Sequence, residues 1–134
     1  MNYEYAISKD EIIVLHDMMI DKYGGTYGIL DEGLLDNVSV TPYQEVFGTF
    51  LYPSVIDKAT KYFVSFADYQ IFQDGNKRTA AIILDVYLSA NGYTLKLTNN
   101  TDYNLKYVRL FINNKYRGLY LLGYKERDKY GSGK

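Results

Sequence analysis

Ile12, Leu15, Met19 and Tyr23 recur at helical spacing, and the run begins just after Ser8-Lys9-Asp10-Glu11. That quartet reads as a capping box, in which a serine hydroxyl and a glutamate three residues on satisfy each other's orphan amides. With Gly24-Gly25 as the stop, the pattern predicts a helix over 9–23. A shorter one should begin near Asp31, put Leu34, Leu35 and Val38 on one face, and end around Thr41-Pro42, because proline disfavours helix in the residue before it. Val46 to Tyr52 is aromatic and β-branched around Gly48, which predicts a short strand or hairpin flap. Pro53 suits a helix's first turn. From there Val55, Ala59, Tyr62, Phe63, Phe66 and Tyr69 mark an apolar stripe to about Gln70. A loop over Ile71 to Gly75 should precede a helix from Asn76 to Ala90, with Ala80, Ile83, Leu84 and Tyr87 on one side and Asn91-Gly92 as its stop.

Beyond Gly92 the pattern thins. Tyr93 to Thr98 alternates as a short strand would, and Asn99 to Thr101 offers caps for a helix from Asp102 to Asn113. Leu119 to Leu122 reads as a further helical or apolar segment, and 129–134 as a frayed end. There is no internal repeat or linker, so the expectation is one all-α domain over residues 1–134, a compact helical bundle with a short β flap.

Composition changes this picture in three places. The chain of 134 residues is 47% hydrophobic and 23% charged, the balance of an ordered domain able to bury a core. A net charge of −1 provides no broad attraction for nucleic acid or for an anionic membrane, so neither is expected as a partner and any phosphate recognition has to be local. Cysteine is absent, which removes disulfides, thiolate zinc sites and cysteine nucleophiles. The N-terminus lacks the pattern of an export signal, and no stretch approaches the roughly 18 apolar residues of a spanning helix, so a cytoplasmic location is expected.

The candidate chemistry lies in Gln70-Ile71-Phe72-Gln73-Asp74-Gly75-Asn76-Lys77-Arg78-Thr79, between two predicted helices. A helix start presents unpaired amides and the positive end of its dipole, so Gly75 and Asn76 there would form an anion nest. Lys77 and Arg78 add positive charge, Arg78 as a fork able to grip two phosphate oxygens, and Asp74 can hold magnesium through a carboxylate. Read alone, D-G-N is equally a common turn, and K-R an ordinary exposed helix start.

The segment resembles the signature loop of the Fic/Doc superfamily, H-x-F-x-[DE]-G-N-[GK]-R, matching at Phe72, Asp74, Gly75, Asn76, Lys77 and Arg78. D-E-G-L-L-D at 31–36, L-Y-P at 51–53 and S-A-N-G-Y at 89–93 also resemble landmarks of the death-on-curing family, so the likeness covers about residues 10–95. Lys77, with no second arginine three positions after Arg78, resembles the Doc branch. In that branch the resemblance implies transfer of ATP's terminal phosphate to a protein hydroxyl, where the branch with two arginines transfers AMP. It implies ATP and Mg2+ as cofactors. It also implies Asn76, Lys77 and Arg78 in the catalytic and phosphate-binding loop, Asp74 at the metal, Phe72 in packing, and a flap at Phe47, Gly48, Thr49 and Phe50 that docks an extended target segment. The flap residues read equally as an ordinary buried loop. The implied target is a translation factor such as elongation factor Tu. Many family members carry an inhibitory helix with [ST]-x-x-x-E-[GN], but the only glutamate here followed by Gly or Asn is Glu32, with Gly28 four positions before it. Control is therefore expected from a separate antitoxin with a disordered tail.

The departure is Gln70, at the position of the family's histidine base. An amide cannot take a proton at neutral pH, and general-base help is worth about 10²–10⁴ in rate. The chain is then a natural pseudoenzyme, a toxin inactivated for production, or an enzyme using another base such as Asp74. The last ranks lowest, because a carboxylate holding magnesium is a poor base. AMP transfer and a non-catalytic nucleotide- or antitoxin-binding module are the alternative functions, and a DNA-binding helix-turn-helix fits least.

His16, the sole histidine, lies beside Leu15 and Met19, where a structural hydrogen bond is the expectation; it has no partners for a zinc site or a catalytic triad. Gly24-Gly25-Thr26-Tyr27-Gly28 matches no nucleotide-loop pattern and reads as a helix stop. Asp31 and Glu32 read as the cap and first-turn charge of the second helix.

Overall fold

The computed structural model describes residues 5–95, and beyond them the backbone of 107–112 and 115–121. The first helix, α1 (Lys9–Tyr23), begins on the expected capping box: Ser8 Oγ accepts from Glu11 N at 3.1 Å and Glu11 Oε1 from Ser8 N at 3.0 Å. It stops where Gly24 turns to φ +86° and donates to Ile20 O at 2.8 Å. Its buried face is Ile12, His16 and Ile20, one position round from the apolar stripe that spacing predicts; Leu15, Met19 and Tyr23 flank it half-buried. A polar residue heads that face because its ring finds partners from elsewhere in the chain.

The second helix, α2 (Glu32–Val40), is capped by Asp31 Oδ1, which accepts from Leu34 N at 2.9 Å, and buries Leu35, Val38 and Ser39. Lys9 ties α1 to it through Glu32 at 2.7 Å and Asp36 at 2.6 Å, and these carboxylates push the Lys9 ammonium's pKa upward. A single 3-10 turn at Thr41–Tyr43 leads into a hairpin of β1 (Glu45–Val46) and β2 (Thr49–Phe50), paired antiparallel with Glu45 opposite Phe50 and Val46 opposite Thr49. Phe47 (φ +51°) and Gly48 (φ +79°) both take the left-handed conformation, as the tightest hairpin turn requires.

The third helix, α3 (Val55–Asp68), is capped by Ser54, whose hydroxyl accepts from Asp57 N at 3.0 Å. Pro53 therefore stands before the cap, not in the first turn as expected, because the serine captures the first free amides. The helix also ends at Asp68, short of Gln70, so Tyr69 leaves the predicted stripe and is exposed. The fourth helix, α4 (Asn76–Ala90), has the expected bounds. It packs along α3, with α1 against α4 and α2 against α1 and α3. The shared core contains Leu35, Phe63, Phe66, Phe72, Ile83 and Leu84, with Tyr62 and Tyr87 in ring contact at 5.0 Å. Each such side chain contributes ~1.5–3 kcal/mol on burial, and burial pushes the Tyr62 hydroxyl's pKa upward.

The chain is thus mostly helical, as expected, but its C-terminal part departs from the prediction. β3 (Tyr107–Ile112) and β4 (Lys115–Leu121) pair antiparallel, where a helix over 102–113 and a further helical or apolar segment at 119–122 were expected; 102–106, 113 and 122 lie outside the described residues. Tyr-Val-Arg-Leu-Phe-Ile is aromatic and β-branched, and a partner strand follows at once, which outweighs the weak helical spacing. Of the strand expected at 93–98, Tyr93 to Leu95 lack regular structure; 96–98 and 129–134 lie outside the described residues. Among the described residues no helix is long and apolar enough to cross a membrane.

Candidate active site

Between α3 and α4 the chain surfaces, dives and surfaces again. Gln70 is exposed, Ile71 and Phe72 are fully buried, and Gln73 and Asp74 return to solvent before Gly75 opens α4 in the left-handed conformation at φ +77°. A side chain at Gly75 would bring a Cβ within 3.1 Å of Ile20 Cδ1, so space and conformation both call for glycine.

Three sets of bonds fix this loop. Ile71 O accepts from Leu30 N at 2.8 Å and Asp31 N at 3.1 Å, and Gly28 O accepts from Gln73 N at 3.0 Å, so the α1–α2 connection lies along the loop like a partner strand. Asn76 Oδ1 accepts from Ile71 N at 3.2 Å and Phe72 N at 2.9 Å, while its Nδ2 donates to Phe72 O at 2.9 Å. His16 Nε2 donates to Asp74 O at 2.8 Å, and its ring stacks on Phe72 with centroids 3.8 Å apart and planes 9° apart. The structural hydrogen bond expected of His16 is thus present, and its partner is the candidate loop itself.

The Asp74 carboxylate is oriented as well. Oδ1 accepts from Gly75 N at 2.9 Å and Oδ2 from Thr26 N at 3.2 Å, and Gly25 comes so close that a Cβ there would lie 2.7 Å from Oδ2. Gly24 to Gly28 is therefore more than a helix stop: it is the wall that aims Asp74. Each carboxylate oxygen keeps further acceptor capacity, and the side chain faces solvent. Among the described residues no group of three acidic, histidine or cysteine residues could cage a metal. Magnesium commonly needs only one or two carboxylates alongside substrate phosphates, and Asp74 fits that demand.

A cleft of about 210 Å³ opens here, lined by Asp68, Gln70, Gln73, Asp74, Gly75 and Lys77, among others. Its floor is the start of α4, whose first-turn amides have no acceptor within the helix. Of the residues singled out from sequence, Gln70, Asp74, Gly75, Asn76 and Lys77 border this one cleft. Arg78 stands beside it, with its guanidinium 4.5 Å over the Tyr23 ring. Phe72 is in the core. The Asn76 side chain, read from sequence as part of the catalytic and phosphate-binding set, points inward and is spent on the loop. The hairpin at Phe47 to Phe50 lies towards the other end of α3, where Phe50 meets Lys58. It is not the buried loop that was the other reading, since Val46, Phe47, Phe50 and Leu51 are exposed.

Sequence reasoning missed His16, Gly25 and Thr26 as supports of Asp74, and Asp68 as a second cleft carboxylate. The only advance signal was the doubled glycine; the contacts span about fifty residues of chain. Gly25→Ala should therefore destabilise the fold by ~1–3 kcal/mol, since it forces a Cβ onto φ +126° and into Asp74. Thermal melting measures this, and a melting point equal to the parent's would contradict it.

The sequence pattern of the Fic/DOC family matches residues 6–88. The chain is 36% identical over 80 residues to Toxin Doc of Mycolicibacterium smegmatis, an alignment covering 60% of this chain and 62% of that protein. It is 34% identical over 91 residues to Protein kinase doc of Escherichia phage P1, covering 64% of this chain and 68% of the relative. The chain thus spans under two thirds of the length of the first relative and slightly more than two thirds of the second.

Proposed function

Because the chain belongs to the Fic/DOC family, we propose that it is a Doc-like toxin domain that binds ATP at the start of α4 and is built to pass the terminal phosphate to a protein hydroxyl. One observation carries this reading: an exposed, pre-aimed carboxylate, a glycine-opened helix start and a lysine border the same cleft. The relative named as a protein kinase supports phosphate transfer as the chemistry.

In this reading the α4 amides and Lys77 hold phosphate oxygens, and Arg78, steadied on Tyr23, adds its charge from the side. Asp74 holds Mg2+, which when bound offsets the phosphates' negative charge. The target's hydroxyl enters at Gln70. Its oxygen forms the new bond to phosphorus, the bond to the ADP oxygen breaks as ADP leaves, and the hydroxyl proton passes to solvent water. Gln70 accepts a hydrogen bond from that hydroxyl and orients it, but takes no proton. Transfer is therefore slow while nucleotide binding is retained, which favours a nucleotide-binding pseudoenzyme as the second reading. Elongation factor Tu is the proposed acceptor, and a separate antitoxin the proposed regulator.

The test uses the Gln70→His variant with elongation factor Tu and ATP labelled at either end. Label should reach the protein from γ-labelled ATP only. Transfer from α-labelled ATP would make the chemistry AMP transfer, and no transfer from either would leave the pseudoenzyme reading in place.

A further inference from the structure

We propose that Lys58 is a positioning residue for target docking, fixing the β1–β2 hairpin to α3. This rests on the proposed function and on the family resemblance, which implies that the hairpin docks an extended segment of the protein target. Lys58 lies in the second turn of α3 and is 0% exposed. Its Nζ donates to Pro53 O at 3.0 Å and lies 4.5 Å from the Phe50 ring centroid and 5.3 Å from that of Tyr43. These neighbours are the residues on which the hairpin enters (Tyr43), returns (Phe50) and leaves for α3 (Pro53). One side chain therefore touches the flap's whole frame.

The frame is anchored in turn. The Tyr43 hydroxyl pairs with that of Tyr87 on α4 at 2.7 Å, and its ring meets Phe50 edge-on at 6.3 Å and 81°. A two-stranded hairpin is marginal in water alone, and this one keeps Val46, Phe47 and Phe50 exposed. An apolar chain of similar length would fill the space without the cost of burying a charge. What the amine adds is direction, since a carbonyl oxygen and two ring faces attract a cation and nothing else so specifically. Docking by strand addition needs an edge already in place, because any ordering of the edge on binding is subtracted from affinity. Along α3, Lys58 and Ala67 at the cleft are nine residues apart, about 14 Å at the helical rise, a distance an extended segment covers in about four residues. An edge fixed at Lys58 thus sets which target residue reaches Gln70.

The experiment compares Gln70→His with Gln70→His/Lys58→Met. Amide exchange across 44–52 should speed up about tenfold, with exchange in α3 and α4 unchanged. With elongation factor Tu as the probe, its KM should rise about tenfold while kcat at saturation stays within about twofold, a loss confined to docking. Unaltered flap exchange, or a fall in kcat at constant KM, overturns the proposal. Should Lys58→Met fail to fold, Phe50→Leu removes one ring face from an exposed position, and the same flap-selective exchange is required of it. If elongation factor Tu takes up no label even with histidine at 70, the functional reading fails and the docking role with it, whereas flap-selective exchange would still identify Lys58 as the clamp.

Discussion

Gln70→His should raise the rate of phosphate transfer to a protein acceptor by about 10²–10⁴, the usual worth of general-base assistance. Gln70 is exposed and lies after α3 has ended, and it lines the same cleft as Asp74 and Lys77. A neutral carboxamide has no basicity near pH 7, whereas an imidazole titrates near ~6.5. The variant's rate should therefore fall on acidification through about that pH, while the parent's rate shows no such limb. Because the position is exposed, stability should stay within ~0.5 kcal/mol of the parent's, and MgATP affinity should not change, since the base meets the acceptor and not the phosphates. Equal rates in parent and variant would mean that the catalytic proton does not pass through position 70. Asp68, on the same cleft, would then be the carboxylate to replace.

Asn76→Ala should cost ~3 kcal/mol or more of stability and abolish MgATP binding, although the side chain faces away from the cleft. Its amide satisfies Ile71 N, Phe72 N and Phe72 O, all at buried residues. Stranding a buried backbone group costs about 1–3 kcal/mol each. At ~2–8 °C per kcal/mol the melting point should drop by about 6 °C or more. Loss of binding follows because this amide fixes the loop through which α3 hands Asp74 and Gly75 to the start of α4. Asn76→Asp keeps both acceptor bonds but sets an anion against Phe72 O, so it should fall between parent and alanine variant. An alanine variant that melts within a few degrees of the parent and still binds MgATP would contradict this role.

The contrast between these two residues shows what a linear reading can reach. The bounds of α1 and α4 were legible because their signals are local: Ser8 with Glu11, Gly24, and Asn91-Gly92 each act within one turn. The cleft residues from Asp74 to Lys77 were legible for the same reason, as they are consecutive. The inward turn of Asn76 was not, because a polar residue after glycine at a helix start looks outward-facing until its partners at Ile71 and Phe72 are placed in the core. His16 and Lys58 were hidden further, since a buried histidine and a buried lysine depend on Phe72, Asp74, Tyr43 and Phe50 coming to them through the fold. At β3 the spacing of Tyr107, Leu110 and Phe111 suits a helix, and pairing with β4 overrode it. Pro53 misled in a smaller way, because the serine after it made the better cap.

The central claim is that the start of α4 cradles nucleotide phosphates beside Asp74. Titrating the parent chain with MgATP while following its backbone amide resonances tests this most directly. The expected result is saturable shifts concentrated on Gly75, Asn76, Lys77 and Arg78, with Thr26 moving as Asp74 changes partner, and their loss in Gly75→Val. Saturable shifts located elsewhere, or none at millimolar nucleotide, would contradict the account.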